Sequence, residues 1–438
     1  MSRGVDQAKR GDRHSVLVFS WEYPPVLVGG LGRHVHALAT ALVREGHQVT
    51  VVTRYGEHPD GSPAALDEVV DGVRVIRAPQ DPPLLTLTTE TLLAWTMSLN
   101  HALVRAALGA GGEYDVVHAH DWLVNHAAVT LKHHLRAPLV ATIHSTEAGR
   151  HRGWLPAELN RCIHSIEWWL TYEARRVLVC SEDMRWEVSR LFELPAAKTQ
   201  VVHNGVDPAA FAAAPAAVKA QRDKYSPDGP MVLYAGRLVF EKGVQDLLDA
   251  VPALRERHPG LRVVIAGDGP HAEDLKAHAV KAKALDGVDF VGFIGGHDLP
   301  ALYAAADCLV VPSRYEPFGL VALEAAAAGT PVVASDVGGL AEIVESGVTG
   351  LSFPPADVGA LTEAVSTVLS DQLLARRITA SARAMVHERF GWSDIAAETA
   401  RAYTRAVDEE RALRLRQSVG SARPSMVIPE GNLLLRDA

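Results

Sequence analysis

The chain has 438 residues, 48% of them hydrophobic and 22% charged, with 43 basic against 52 acidic side chains and a formal net charge of −9. That is the composition of a globular chain long enough for two domains, and its acidic balance argues against nucleic acid as a partner, because phosphate-backbone binders need surplus Lys and Arg to displace counterions. Three widely spaced cysteines, Cys162, Cys180 and Cys308, exclude a disulfide framework or a zinc knuckle and fit a reducing cytoplasm.

Residues 1–13 read as a loose tail, since Arg3, Lys9, Arg10 and Arg13 precede an apolar run too short for a signal peptide. No window supplies the roughly 18 uninterrupted apolar residues of a membrane span. The richest stretch, Val321 to Ala334, is interrupted by Glu324, Gly329 and Pro331, so no transmembrane segment is expected and the chain is placed in the cytoplasm.

From Ser15 a β-rich run, Val16 to Phe19, is followed by a glycine turn, a helical pattern to about Glu45 and a second run, Val49 to Val52. This predicts a βαβ unit. The alternation recurs at Asp115–His118, Pro138–Ile143 and Val177–Cys180, so residues 14–207 form one doubly wound domain. An Ala- and Pro-rich stretch after Pro208 marks the boundary. A second α/β domain, residues 208–392, begins with Met231–Tyr234 and continues through Val263–Ile265, Val288–Phe293, Cys308–Val311 and Val332–Ala334. Residues 393–416 form a helix crossing back to the first domain, and residues 417–438 a tail with little to pack. Two such sheets leave a central cleft, and ligands bind beyond the carboxyl ends of strands in open α/β sheets.

Three motifs fall at such ends. Val28-Gly29-Gly30-Leu31-Gly32 opens a helix, where exposed backbone amides and the helix dipole favour an anion. The spacing is not that of a dinucleotide fingerprint, and strand two ends in Arg54-Tyr55 without an acidic ribose ligand. Gly236-Arg237-Leu238 and Glu241-Lys242-Gly243 bring two cations, five residues apart, to one strand-to-helix loop where they can converge on a diphosphate. Glu316-Pro317-Phe318-Gly319 ends in a helix carrying Glu324 about one and a half turns in. The amides of Gly319, Leu320 and Val321 are then free for phosphate or sugar oxygens. His118-Ala119-His120-Asp121 could also open a metal-hydrolase site, although the two-domain pattern supplies no barrel. His34, His36, His133 and His134 read as ordinary helix or turn residues.

Together with Trp21 to Pro25, His120-Asp121-Trp122, His144, Asn204 to Asp207 and Gly267-Asp268-Gly269, these motifs resemble family-4 retaining glycosyltransferases, and within them bacterial glycogen synthases. The resemblance covers about Ser15 to Tyr403. It implies the GT-B fold, two Rossmann-like domains facing a cleft, and transfer of glucose from ADP-glucose or UDP-glucose to an α-glucan or oligosaccharide acceptor. It further implies that Arg237 and Lys242 hold the donor diphosphate, that Glu316 holds hydroxyls of the transferred sugar and that Glu324 holds the ribose. His144 would lie beside the reacting sugar, Asp121 in the sugar and acceptor pocket, Asn204 near the hinge, and Gly29, Gly30 and Gly236 along the sugar diphosphate. The base would rest near Val291 to Ile294, a stretch that includes Phe293. Glycogen and starch synthases usually carry Lys two residues before the Gly-Gly pair, whereas this chain has Leu27. The chain contains no Asp-x-Asp triplet, so no metal site and no cofactor are expected to be required. A nucleotide-sugar epimerase, or transfer to another small acceptor, stands as the alternative.

Overall fold

The computed structural model describes residues 13–296 and 298–420; residues 1–12 and 421–438, which make up nearly all of the two expected tails, lie outside the described residues. The first sheet contains β1 (Ser15–Phe19), β2 (Gln48–Arg54), β3 (Asp67–Val70), β4 (Val73–Ala78), β5 (Val116–His120), β6 (Leu139–Ile143), β7 (Arg176–Val179) and β8 (Thr199–Val201). Their spatial order is β3-β4-β2-β1-β5-β6-β7-β8, parallel except where β3 meets β4. The second sheet contains β9 (Met231–Ala235), β10 (Arg262–Ala266), β11 (Val288–Gly292), β12 (Cys308–Val311), β13 (Val332–Ser335) and β14 (Leu351–Phe353). It is parallel throughout, in the order β11-β10-β9-β12-β13-β14.

The central strands β5, β6 and β9 are buried at every position, as strands covered by helices on both faces must be. Their residues are largely Val, Leu, Ile and Ala, each Val or Leu contributing about 1.5–3 kcal/mol by leaving water. Strand order reverses between β1 and β5 in the first sheet and between β9 and β12 in the second. A doubly wound sheet opens its crevice at such a reversal. The loops after β1, β5, β9 and β12 therefore converge on one cleft.

One buried apolar cluster runs through both halves, from Val179, Cys180 and Met184 to Phe318, Ala322 and Phe390. The last helix, Trp392–Gly420, lies on the first sheet: Ile395, Tyr403 and Val407 join the cluster that holds Val16, Val18 and Leu42. Arg175 pairs with Glu410 at 2.6 Å, Ser393 Oγ donates to Glu45 at 2.8 Å, and Arg176 pairs with Glu409. The Ala-rich stretch around 212–217 is more ordered than its composition implies, since Pro215 occupies the first turn of a helix, Pro215–Tyr225. Among the described residues no helix is long and apolar enough to cross a membrane.

Candidate active site

The loop after β9 carries Gly236 and Arg237 and then makes a short turn, Phe240–Lys242. Gly243 ends it at φ +67°, and a Cβ there would lie 1.9 Å from the carbonyl oxygen of Pro312. Only glycine lets this loop close against the loop after β12. The backbone N–H of Arg314 donates to the carbonyl of Glu241 at 2.7 Å, and the Arg314 guanidinium grips the buried Asp246 at 2.9 and 2.5 Å. That fork fixes the second loop to the helix Val244–Arg257.

The two loops place Lys242 Nζ 2.7 Å from Oε2 of Glu316, which also accepts from Ser313 Oγ at 3.1 Å. The Glu316 carboxylate is almost fully buried, at 9% exposure, so the lysine is its main compensation. Arg237 is exposed beside them, with its carbonyl held by the Tyr234 hydroxyl at 2.8 Å. Burial, and then the negative charge of Glu316, push the Tyr234 phenol up, so it remains a neutral donor. Gly319 precedes the helix Leu320–Ala328 at φ +108°, and no side chain caps that end. The first-turn amides, including Leu320 and Val321, therefore face the cleft as donors beside two cations.

Glu324 is 5% exposed and accepts from the Tyr303 hydroxyl at 2.8 Å and from Arg33 of the first domain at 2.9 Å. Burial and the adjacent carboxylate push the Tyr303 phenol far up. Arg33 thus occupies the carboxylate that the sequence assigns to a ribose. Phe293 lies just beyond edge strand β11, 80% exposed.

On the facing sheet the Gly-rich loop is shaped by Glu22, whose Oε2 accepts from the N–H groups of Val28 and Gly29 at 2.8 and 2.9 Å. In this structure a carboxylate of the chain itself, that of Glu22, occupies the Gly29 amide that the sequence reading offers to an anion. Gly30 opens the helix Gly30–Arg44, and a Cβ on it would lie 3.1 Å from Leu320, so its backbone abuts the helix start of the second domain. Asp121, at the end of β5, has φ 59° and ψ 174°, a conformation costing a non-glycine residue about 1–3 kcal/mol. In that pose Oδ1 accepts from the His144 N–H at 2.8 Å and sets the loop that presents this imidazole. Asn204 is 5% exposed with an unpartnered Oδ1, next to Gly205, which Trp392 covers.

His144 Nε2 lies 3.1 Å from His120 Nδ1, and the His34 ring stands edge-on to His144 at 4.7 Å between centroids. Burial lowers the pKa of all three, with neighbouring imidazoles adding to the effect on His34 and His120. His118, driven to about 3 by burial, is fixed between Tyr403 Oη at 2.8 Å and Thr142 Oγ1 at 2.7 Å. His34, read from the sequence as an ordinary helix residue, does lie on the helix Gly30–Arg44, where it is buried against His120 and His144. Its signal was available: four residues after Gly30, it shares a helix face with the glycine that opens the cleft. Arg33, Tyr303 and the loop-holding role of Glu22 had no local signal.

The domains meet directly around this site. Ser181 Oγ donates to the Pro317 carbonyl at 2.7 Å, Tyr315 Oη to Glu187 at 3.0 Å, and the Asp183 N–H to Glu342 at 3.1 Å. Burial raises the pKa of the Glu187 carboxyl, an effect its bonds from Thr146 and Tyr315 oppose.

Comparison with known proteins finds two family models along the chain. Residues 28–210 match the family model described as Glycosyltransferase Family 4, and residues 218–385 the model Glycosyl transferases group 1. The glycogen synthase of Mycobacterium tuberculosis is 46% identical over 405 residues, covering 90% of this chain and 96% of that protein. An uncharacterised glycosyltransferase of Methanocaldococcus jannaschii is 37% identical over 399 residues, 90% of this chain and 98% of the relative. The structure of sucrose-phosphate synthase from Thermosynechococcus elongatus superposes with a TM-score of 0.77 at 29% identity, over 90% of this chain and 99% of the other.

Proposed function

This chain belongs to the family-4 glycosyltransferases of the GT-B fold and is a glycogen synthase-like hexosyltransferase, and from that premise we propose that it moves glucose, with retention, from ADP-glucose or UDP-glucose to the non-reducing end of an α-1,4-glucan in the cytoplasm. The observation that carries the reading is the Lys242–Glu316 pair, set before the uncapped helix at Leu320 and beside the exposed Arg237.

Departure of a nucleoside diphosphate builds negative charge on phosphate and positive character at the anomeric carbon. Lys242 has three N–H donors, of which Glu316 takes one, so the ammonium can still meet a phosphate oxygen. Arg237 adds a planar fork, and the amides at Leu320 and Val321 add fixed dipoles that need no reorganisation. Glu316 is bound by Lys242 and Ser313, which suits a carboxylate that orients sugar hydroxyls rather than one that attacks carbon. The leaving phosphate then takes the acceptor proton on the same face of the sugar. His144, neutral and held through Asp121, lies beside the sugar. The ribose displaces Arg33 from Glu324, the base lies along Val291 to Ile294 with Phe293 at its edge, and Asn204 lies at the hinge. Transfer requires no metal ion or cofactor, because the cations are side chains.

The test is incubation with ADP-glucose or UDP-glucose, with and without a maltooligosaccharide, in chelator, following nucleotide release and product linkage. Acceptor-dependent growth by α-1,4-linked glucose supports the proposal. Turnover that needs metal, or a glycosyl-enzyme trapped on Glu316, would overturn the corresponding step. A second reading, transfer to a small phosphorylated sugar, is favoured by the likeness to sucrose-phosphate synthase and by Leu27 at the position where glycogen synthases usually carry Lys. A parallel arm with sugar phosphates as acceptors separates the two.

A further inference from the structure

The helix Gly30–Arg44, the end of β5 and the loop after β6 each deliver one histidine to a single point on the first domain's side of the cleft: His34, His120 and His144. One ring nitrogen from each lies within 4.8 Å of those of the other two. The closest pair, His120 Nδ1 and His144 Nε2, is 3.1 Å apart. Two nitrogens bound tetrahedrally to one zinc ion, at metal–nitrogen distances of about 2.0–2.1 Å, lie about 3.3 Å apart. His34 is 6% exposed, yet its Nδ1 has no hydrogen-bond partner. Buried imidazole nitrogens are normally satisfied. The neighbouring His118 shows this, since both its nitrogens are engaged by Tyr403 and Thr142, which removes it as a ligand. Trp392 closes the far side of His34 at 5.4 Å between centroids, while His144 is only partly buried and leaves the cluster open toward the cleft. Three imidazoles with one open position form the donor set of a tetrahedral zinc site with an exchangeable fourth ligand.

We propose that His34, His120 and His144 bind one divalent transition-metal ion of the zinc class, with its fourth position facing the cleft. The ion is not part of the transfer chemistry. Small rotations of His34 bring its nitrogen from the observed spread to bonding distance, and the proton shared by His120 and His144 moves to the other nitrogen of the ring that carries it, so that both facing nitrogens present a lone pair to the ion. A consequence, which rests on the function proposed above, is inhibition: a dication at this point stands where His144 would meet the reacting sugar.

The test uses the untagged, metal-free, full-length protein. Titration with cobalt(II) is expected to give one equivalent of binding with the intense visible bands of a four-coordinate nitrogen site, displaced by zinc(II). His34→Gln is expected to weaken binding at least tenfold, whereas His36→Gln, on the same helix but outside the cluster, leaves it unchanged. X-ray absorption of the zinc form reads the ligand set without any variant: three imidazoles support the site. Fewer than three, a weak six-coordinate cobalt spectrum, or unchanged binding by His34→Gln overturns it. Zinc bound to the wild type without slowing transfer would refute the inhibition and leave the site. A metal-free protein with no transferase activity would refute the functional reading and leave the site equally intact.

Discussion

Lys242→Met removes the cation facing Glu316 while keeping a side chain of similar length. In the native protein the carboxylate is 9% exposed and has two partners, Lys242 Nζ at 2.7 Å and Ser313 Oγ at 3.1 Å. The variant leaves it with the hydroxyl alone. Breaking a fully buried pair from one side costs about 3–5 kcal/mol. The lysine side chain keeps 18% of its surface in water, so the cost falls just below that range, about 2–3 kcal/mol. For a domain of this size that corresponds to a fall in Tm of roughly 5–10 °C. Adding Glu316→Gln removes the stranded charge, and the double variant should regain at least half of the loss. Activity should not follow: without the ammonium, transfer falls by about 10²–10³-fold, the cost of removing one donor at a developing charge, and it stays low in the double variant. Calorimetric unfolding of the wild type, both single variants and the double variant, with transfer rates on the same preparations, reads both arms. A Lys242→Met protein that unfolds within about 1 °C of the wild type, or a double variant no more stable than Lys242→Met, would refute the assignment of the pair as a buried, mutually compensating unit.

Arg33→Ala frees Glu324 from the first domain. The arginine side chain is 46% exposed, so the bridge stabilises closure by only about 0.5–1 kcal/mol, and scattering should show a more open unliganded protein. Because the ribose no longer competes with Arg33, nucleoside diphosphate should bind up to about 5-fold more tightly by calorimetry; weaker binding would make Arg33 a donor ligand instead. Gly243→Ala forces a Cβ against the Pro312 carbonyl 1.9 Å away at φ +67°, and should lower both stability and transfer, the latter at least tenfold as Lys242 shifts. Glu167 supplies a pH test: burial raises its pKa from 4.5 to about 8, its Oε1 accepts from the Glu147 N–H at 2.8 Å, and Oε2 has no hydrogen bond, with His164 3.9 Å away. A raised folded-state value means that the neutral form stabilises the fold fully below about pH 4.5 and that this contribution is lost as pH rises toward 8. Glu167→Gln should therefore gain in Tm relative to the wild type between pH 5 and pH 9, with a ceiling of about 4–5 kcal/mol; a difference independent of pH would refute the buried neutral carboxyl.

The architecture was legible in the sequence because a parallel, doubly covered strand needs an unbroken apolar run. Val16–Phe19, Met231–Tyr234 and Cys308–Val311 carry such runs, and each is a strand in the structure. The strands that went unread, β3, β4, β8 and β14, lie at or next to the sheet edges, where short or alternating patterns blend into loops. Loop chemistry was legible for the same local reason: Gly243, Pro317 and Gly319 mark strand-to-helix turns, and those turns bring Lys242 to Glu316. What depends on contact between distant segments was not legible. Glu22 engages the Gly29 amide and Arg33 crosses the cleft to Glu324, neither of which has a repeating pattern to announce it, and the helix spacing that turns His34 toward the cleft does not say that His120 and His144 meet it there. The sequence by itself determined the two sheets, the cleft and most of the polar groups at its rim, through periodicity and turn residues acting over a few positions. Only the tertiary structure decided which of those groups are already engaged and which are left without a partner, because hydrogen bonding and desolvation depend on neighbours that the chain brings together from distant positions, 291 apart for Arg33 and Glu324.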